Sequence, residues 1–172
     1  MGNFTEHFNF EDFFVDNEFS EYAKKLLESA PDWLRNTLFL LAENILESVR
    51  HEFPNVPLRI TSGYRDKWLN DKVAKTVHSL HSDGIACDFT AWKESDKKYL
   101  FSMYAYIKQC LVKDFGELIL YEDENGNYIN IHVSLKSPRV KPFATRLVRL
   151  ASGETINRDI FKQGVKNVAN NT

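Results

Sequence analysis

Leu118-Ile119-Leu120-Tyr121-Glu122-Asp123-Glu124-Asn125-Gly126-Asn127-Tyr128-Ile129-Asn130-Ile131-His132-Val133 is the stretch that decides how this chain folds. Two β-prone runs, 118–122 and 128–133, flank Asn125-Gly126, the dipeptide that most favours a tight reversal between strands. The spacing predicts an antiparallel hairpin. It also predicts that Asn130, His132 and Ser134 share one face of the second strand, because side chains alternate with period two.

Upstream, Ile85-Ala86-Cys87-Asp88-Phe89 reads as another strand, with Ala86 and Asp88 on one face and Cys87 and Phe89 on the other. Leu58 to Thr61 is a short strand candidate ended by Gly63, and residues 77–84 read as a polar loop. Four further segments read as helical. Residues 18–29 form a first helix. Ser29-Ala30-Pro31-Asp32 then caps a longer one, whose Leu34, Leu38, Leu41, Ile45 and Val49 recur at steps of three and four. Residues 68–76 form a short helix. Ser95 caps another, with Leu100, Met103, Ile107 and Leu111 as its buried stripe. Helices followed by strands mixed with helices give an α+β fold, a small antiparallel sheet packed against helices. A single domain is expected over residues 1–150, its aromatic opening packed as an arm, followed by a polar, flexible tail over 151–172.

At 172 residues the chain is long enough for one self-sufficient core. Its formal charge, 22 − 24 = −2, carries no basic excess of the kind nucleic-acid binders show. The basic stretch from Lys136 to Arg149 reads as a solvated surface, with contact to an anionic polymer or phosphate as the alternative. No run approaches the ~20 apolar residues of a membrane span. The start lacks the basic-then-apolar pattern of a secretory signal, which implies synthesis in a cytoplasm. Cys87 and Cys110 are too few for a disulfide framework and are expected reduced and buried. A monomer is expected.

Five histidines are present, His7, His51, His78, His81 and His132. His51-Glu52 begins a His-Glu-x-x-His zinc helix, but the second histidine is missing and Pro54 would break the turn. His81 and His132 have better company. His81 sits in a loop before Gly84 and the strand carrying Asp88, and the small Ala86 beside that aspartate leaves room for an ion. His81 and Asp88 with His132 make three candidate metal ligands, the number a catalytic zinc uses with one position left open.

Thr61-Ser62-Gly63-Tyr64-Arg65, Leu69-Asn70, Ser79-x-His81-x-x-Gly84-x-Ala86-x-Asp88 and Ile131-His132-Val133-Ser134 together resemble the M15 peptidase family. The likeness is closest to the M15_3-type murein peptidases common in phage lysins and prophages, and it runs from about Phe8 to Leu147. It implies the small α+β zinc-peptidase domain of D-Ala-D-Ala carboxypeptidases and L-Ala-D-Glu endopeptidases. It implies Zn2+ held by His81, Asp88 and His132, and peptidoglycan stem peptides as substrate. Without a signal peptide, access to the wall would come through lysis or phage machinery. By the same resemblance Arg65 is an active-site arginine, able to hold a substrate carboxylate or steady a developing oxyanion. Ser79 binds substrate or orients the His81 loop. Tyr64 and Asn70 support packing.

The chain departs from the family at one point. Much of the family has its catalytic acid three residues before the last histidine, where this chain has Ile129. Closer relatives place a Glu on the first hairpin strand, which points to Glu122 or Tyr121. A two-residue Asn125-Gly126 turn would pair Glu122 with Ile129 and aim it away from His132. A three-residue turn bulged at Gly126 would pair Glu122 with Tyr128 and aim it toward His132. The need for a carboxylate favours the second, which makes Glu122 the expected general base. Tyr121 is a poor base, and Glu117 stands at the far end of the strand. The competing expectation is a zinc-binding, catalytically weak wall-binding or virion module on the same fold.

Overall fold

The computed structural model describes residues 4–16, 18–74, 78–139 and 141–158. A six-stranded sheet runs in the order β1-β2-β4-β3-β5-β6, with β1 Leu58–Ser62, β2 Ala86–Ala91, β3 Phe115–Glu122, β4 Tyr128–Leu135, β5 Phe143–Arg149 and β6 Thr155–Asn157. All neighbours are antiparallel except β3 and β5. The helices are α1 Ser20–Glu28, α2 Asp32–Leu41, α3 Glu47–Glu52, α4 Lys67–Val73 and α5 Leu100–Cys110. A π-turn over Ala42–Leu46 joins α2 to α3. The apolar stripe read from the sequence therefore stays on one face through both: Leu34, Leu38, Leu41, Ile45 and Val49 are all fully buried. The α+β reading holds.

One face of the sheet meets this stripe and α5. Cys87, Phe89, Leu118, Leu120, Ile131 and Val133 point there and join Leu100, Met103 and Ile107 in the core. Full burial of each such side chain is worth about 1.5–3 kcal/mol. The arm packs as expected, with Phe8, Phe10, Phe13 and Phe14 buried. Its backbone also reaches the sheet: Tyr64 N–H donates to Phe13 O at 2.8 Å, and Gly63 N–H donates to Val15 O at 3.3 Å. A Cβ on Gly63 would stand 2.0 Å from Phe13 O, so only glycine permits this approach.

Three expectations are corrected. The basic segment is not merely a solvated surface, because Phe143–Arg149 forms β5 and fully buries Val148. Its charged residues masked a strand whose pairing partner, β3, is distant in sequence. The boundary at residue 150 falls inside the β5–β6 hairpin, in which Leu147 pairs with Asn157 and Arg149 with Thr155. The rest of the expected tail, residues 159–172, lies outside the described residues. Finally, Cys87 is buried but Cys110 is exposed, and the two are not linked. No helix among the described residues is long and apolar enough to cross a membrane.

Candidate metal centre

The second face of the sheet carries the polar residues. Asp88 on β2 lies directly opposite His132 on β4, and His132 lies opposite Ile119 on β3. Antiparallel partners put their side chains on the same face about 5 Å apart. A carboxylate and an imidazole are thus brought together by register alone. The third group arrives from a loop. Gly84 adopts φ +66° and sits 2.4 Å, measured from a hypothetical Cβ, from Leu34 Cδ1. Gly84 N–H closes the turn onto His81 O at 3.1 Å, and Ser79 Oγ accepts from His81 N–H at 3.3 Å. Ser79 Oγ thus touches the backbone of the His81 loop.

His81 Nδ1 is 2.8 Å from the carbonyl oxygen of Gly63. A carbonyl can only accept, so Nδ1 carries the proton and the Nε2 lone pair is left for the site. Three donor atoms then converge. His132 Nδ1 is 2.8 Å from Asp88 Oδ1, His81 Nε2 is 3.3 Å from His132 Nδ1, and His81 Nε2 is 3.6 Å from Asp88 Oδ1. Tetrahedral zinc with bonds of ~2.0–2.1 Å separates its ligands by about 3.3 Å. The triangle matches one face of that tetrahedron, and two neutral nitrogens with one carboxylate form a donor set that zinc accepts. His81 and His132 are buried and Asp88 is nearly so, which keeps the ligand atoms out of bulk water.

The charges agree with this. Burial alone would raise the Asp88 pKa, but the adjacent imidazoles of His81 and His132 outweigh it and hold Asp88 well below the usual carboxylate range. Burial lowers the His81 pKa against the pull of Asp88. Burial works on His132 in the same sense, but its hydrogen bond to Asp88 and the nearby Glu117 carry it up to about 9. Asp88 is thus ionised and His81 neutral, while His132 must shed a proton before it can ligate.

Arg65 stands where the sequence placed it, beside the ligands. Its Nη2 is 3.7 Å from Asp88 Oδ2, and its Nε and Nη2 donate to Ser62 Oγ at 3.1 and 2.7 Å. The fork is fixed from behind and largely buried.

Glu122 does not reach the site. It pairs with Tyr128, as the bulged turn required, but it points to the other face of the sheet. The bulge lies in β4: Tyr121 pairs with Asn130 and Glu122 with Tyr128, so Ile129 is the extra residue. That insertion moves Tyr128 to the face opposite Asn130 and His132, and Glu122 goes with it. There Glu122 is fully buried among counter-charges. Arg146 Nε donates to Glu122 Oε1 at 2.6 Å, Arg146 Nη2 contacts the same oxygen, and Arg158 Nε lies 3.3 Å from Oε2.

Glu117 and Tyr121 occupy the face that Glu122 was expected to share. Glu117 Oε2 is 3.4 Å from His132 Nε2, the nitrogen turned away from the donor triangle. Glu117 also lines a cleft of about 570 Å³ with Ser79, Leu80, His81, His132 and Arg139. Burial, reinforced by the charge of Asp88, raises the Tyr121 pKa and keeps its phenol protonated. Period-two counting along β3 from Ile119, opposite His132, would have found both residues.

Comparison with curated proteins finds no match. The family profile described as Peptidase M15 matches residues 7–121, about two thirds of the chain. The matched segment contains Arg65, His81, Asp88 and Glu117. It ends before β4, so His132 joins the set through the geometry of the sheet.

Proposed function

Because this chain belongs to the peptidase M15 family, a family of zinc-dependent peptidases, we propose that it hydrolyses an amide bond in the stem peptides of bacterial peptidoglycan, in the manner of a phage or prophage lysin. The observation that carries this reading is the donor triangle of His81, Asp88 and His132 beside both the Arg65 guanidinium and the Glu117 cleft.

His81 Nε2, Asp88 Oδ1 and His132 Nδ1 would hold the zinc. When bound, the ion acidifies a water and polarises the scissile carbonyl. The other residues work around it. Gly63 O fixes the His81 tautomer, and the Glu117 carboxylate, 3.4 Å from His132 Nε2, holds that ring by charge with Nδ1 toward the triangle. Glu117 also opens on the cleft, where its carboxylate takes a proton from the attacking water and returns it to the leaving amine. Arg65 holds substrate charge with a planar, fixed fork, and the Tyr121 hydroxyl remains a donor at neutral pH. We place the action at the cell wall, reached after lysis or through phage delivery.

Purified murein digested with the protein, with and without a chelator, tests the reading by mass spectrometry. New free amino termini or released terminal residues, lost on chelation, are expected. Intact stem peptides under both conditions overturn it. A second reading, a zinc-binding wall module with weak catalysis, draws on two observations: Ile129 stands where much of the family has an acid, and Glu122 is locked in an ion pair on the other face. Zinc binding and murein retention without cleavage would favour it.

A further inference from the structure

A second group of metal-capable side chains lies away from the site, where the N-terminal arm crosses α3. Glu6 and His7 come from the arm, and Glu47 and His51 come from one face of α3 at a spacing of four residues. Their ligand atoms all lie within 4.8 Å of one another. His51-Glu52 reads in the sequence as half of a zinc motif whose second histidine is missing. In the folded chain a second histidine is supplied by the arm, as His7.

The contacts within the group have a direction. Glu47 has a side chain only 5% exposed, and it holds His7 twice: His7 N–H donates to Oε1 at 2.7 Å, and His7 Nδ1 is 2.6 Å from Oε2. A carboxylate can only accept, so His7 Nδ1 is the protonated nitrogen. Its Nε2 then faces away from Glu47 as a lone pair. Nε2 lies 4.0 Å from Glu6 Oε1, and the other oxygen of Glu6 accepts from His51 Nε2–H at 3.1 Å, so ligation by His51 Nε2 requires its proton to move to Nδ1. Two imidazole nitrogens thus flank one carboxylate, with a buried carboxylate behind the first imidazole. Carboxylate-backed histidine is the arrangement that raises imidazole basicity and fixes its tautomer in zinc proteins. Glu6 and His51 are exposed, which leaves a coordination position open to water.

We propose that His7 Nε2, His51 Nε2 and the Glu6 carboxylate, backed by Glu47, form a second Zn2+ site that staples the N-terminal arm to α3. Imidazole and carboxylate together suit zinc better than calcium or magnesium, which take oxygen ligands. The staple bears on the rest of the fold, because the same arm supplies Phe13 O and Val15 O to Tyr64 N–H and Gly63 N–H, and Gly63 O in turn orients His81.

Zinc itself is the probe. The full chain is stripped with a chelator, equilibrated against buffered Zn2+, and its bound metal counted, while side-chain nitrogen NMR follows each histidine. Two zinc ions per chain are expected, with perturbed His7 Nε2 and His51 Nε2 signals. His51→Ala and Glu6→Gln, both at exposed positions, should each lower the count to one. His132→Ala should remove the other ion and keep the His7 and His51 perturbations. This pattern is independent of whether the first centre is catalytic. Zinc binding that leaves the His7 and His51 signals unperturbed, or a zinc count that both His51→Ala and Glu6→Gln leave unchanged, overturns the proposal and leaves the group as a His–Glu ion-pair network.

Discussion

Glu117 and Glu122 stand five residues apart on the same strand, and their surroundings have nothing in common. Glu117 is part-exposed, faces His132 and borders a cleft. Glu122 has no exposure, sits among core side chains and is gripped by Arg146, whose guanidinium also lies 5.0 Å from the Phe101 ring centroid. An odd separation along a strand puts two side chains on opposite faces. One acid therefore faces the candidate metal centre and the other is packed in the core. A buried acid near the ligands in sequence is not evidence of catalysis until its face is known.

The largest expected effect separates the two acids directly. Glu117→Gln keeps a side chain of the same shape beside His132 but cannot carry a proton, so murein hydrolysis should fall by about 10²–10⁴-fold with zinc content intact. Glu117→Ala, which removes the neighbouring side chain as well, should also weaken zinc binding by about 10–100-fold in a chelator competition. Full activity in Glu117→Gln would return Glu117 to a purely structural role.

Glu122 should behave in the opposite way. Glu122→Gln breaks a buried ion pair from one side and should cost about 3–5 kcal/mol of stability in a denaturant titration, with the rate per folded molecule unchanged. Replacing both partners, as in Glu122→Leu with Arg146→Leu, should recover part of that loss, because the pair is removed as a unit while Arg158 still loses its contact with the carboxylate. A double variant as unstable as the sum of its parts would contradict the pairing.

A smaller effect is expected on the site side at Arg65. Arg65→Lys keeps the charge and loses the fork that Ser62 fixes, so turnover should drop by roughly 1–3 kcal/mol of transition-state stabilisation while the melting temperature barely moves. Unchanged rates would remove Arg65 from the reaction.

The gentlest probe is pH. In the metal-free protein His132 titrates near 9, whereas Asp88 is already ionised and His81 neutral around pH 7. Zinc must therefore displace about one proton, from His132. Its affinity should rise about tenfold per pH unit between pH 7 and 9 and level off above, and calorimetry in buffers of different ionisation enthalpy should count that proton. A flat profile would mean that His132 is already neutral, and that Glu117 and Asp88 do not hold its proton.

Much of this was legible in the sequence. The leucine and isoleucine steps from Leu34 to Val49 specify a helix wherever it packs, and the alternation around Asp88 and His132 specifies strands. The motif around His81 and the Asn125-Gly126 reversal then bring the three ligands together, because register across neighbouring strands is short-range and strongly patterned. The face of Glu122 was not legible. It depends on whether the extra residue near the turn is absorbed in β3 or in β4, and both choices satisfy the local turn chemistry. Placing the bulge at Ile129 lets Glu122 meet Arg146, a residue on β5 whose own pairing with β3 is long-range and parallel. The meeting of His7 with His51 has the same origin, since no local pattern relates an arm to a helix more than forty residues away. Sequence by itself determined the main helices, the strands that carry the ligands and which groups could ligate, but not β5 and β6. Only the tertiary structure decided which side of the sheet each acid faces, because that choice is set by partners the chain brings together after its local structure is already fixed.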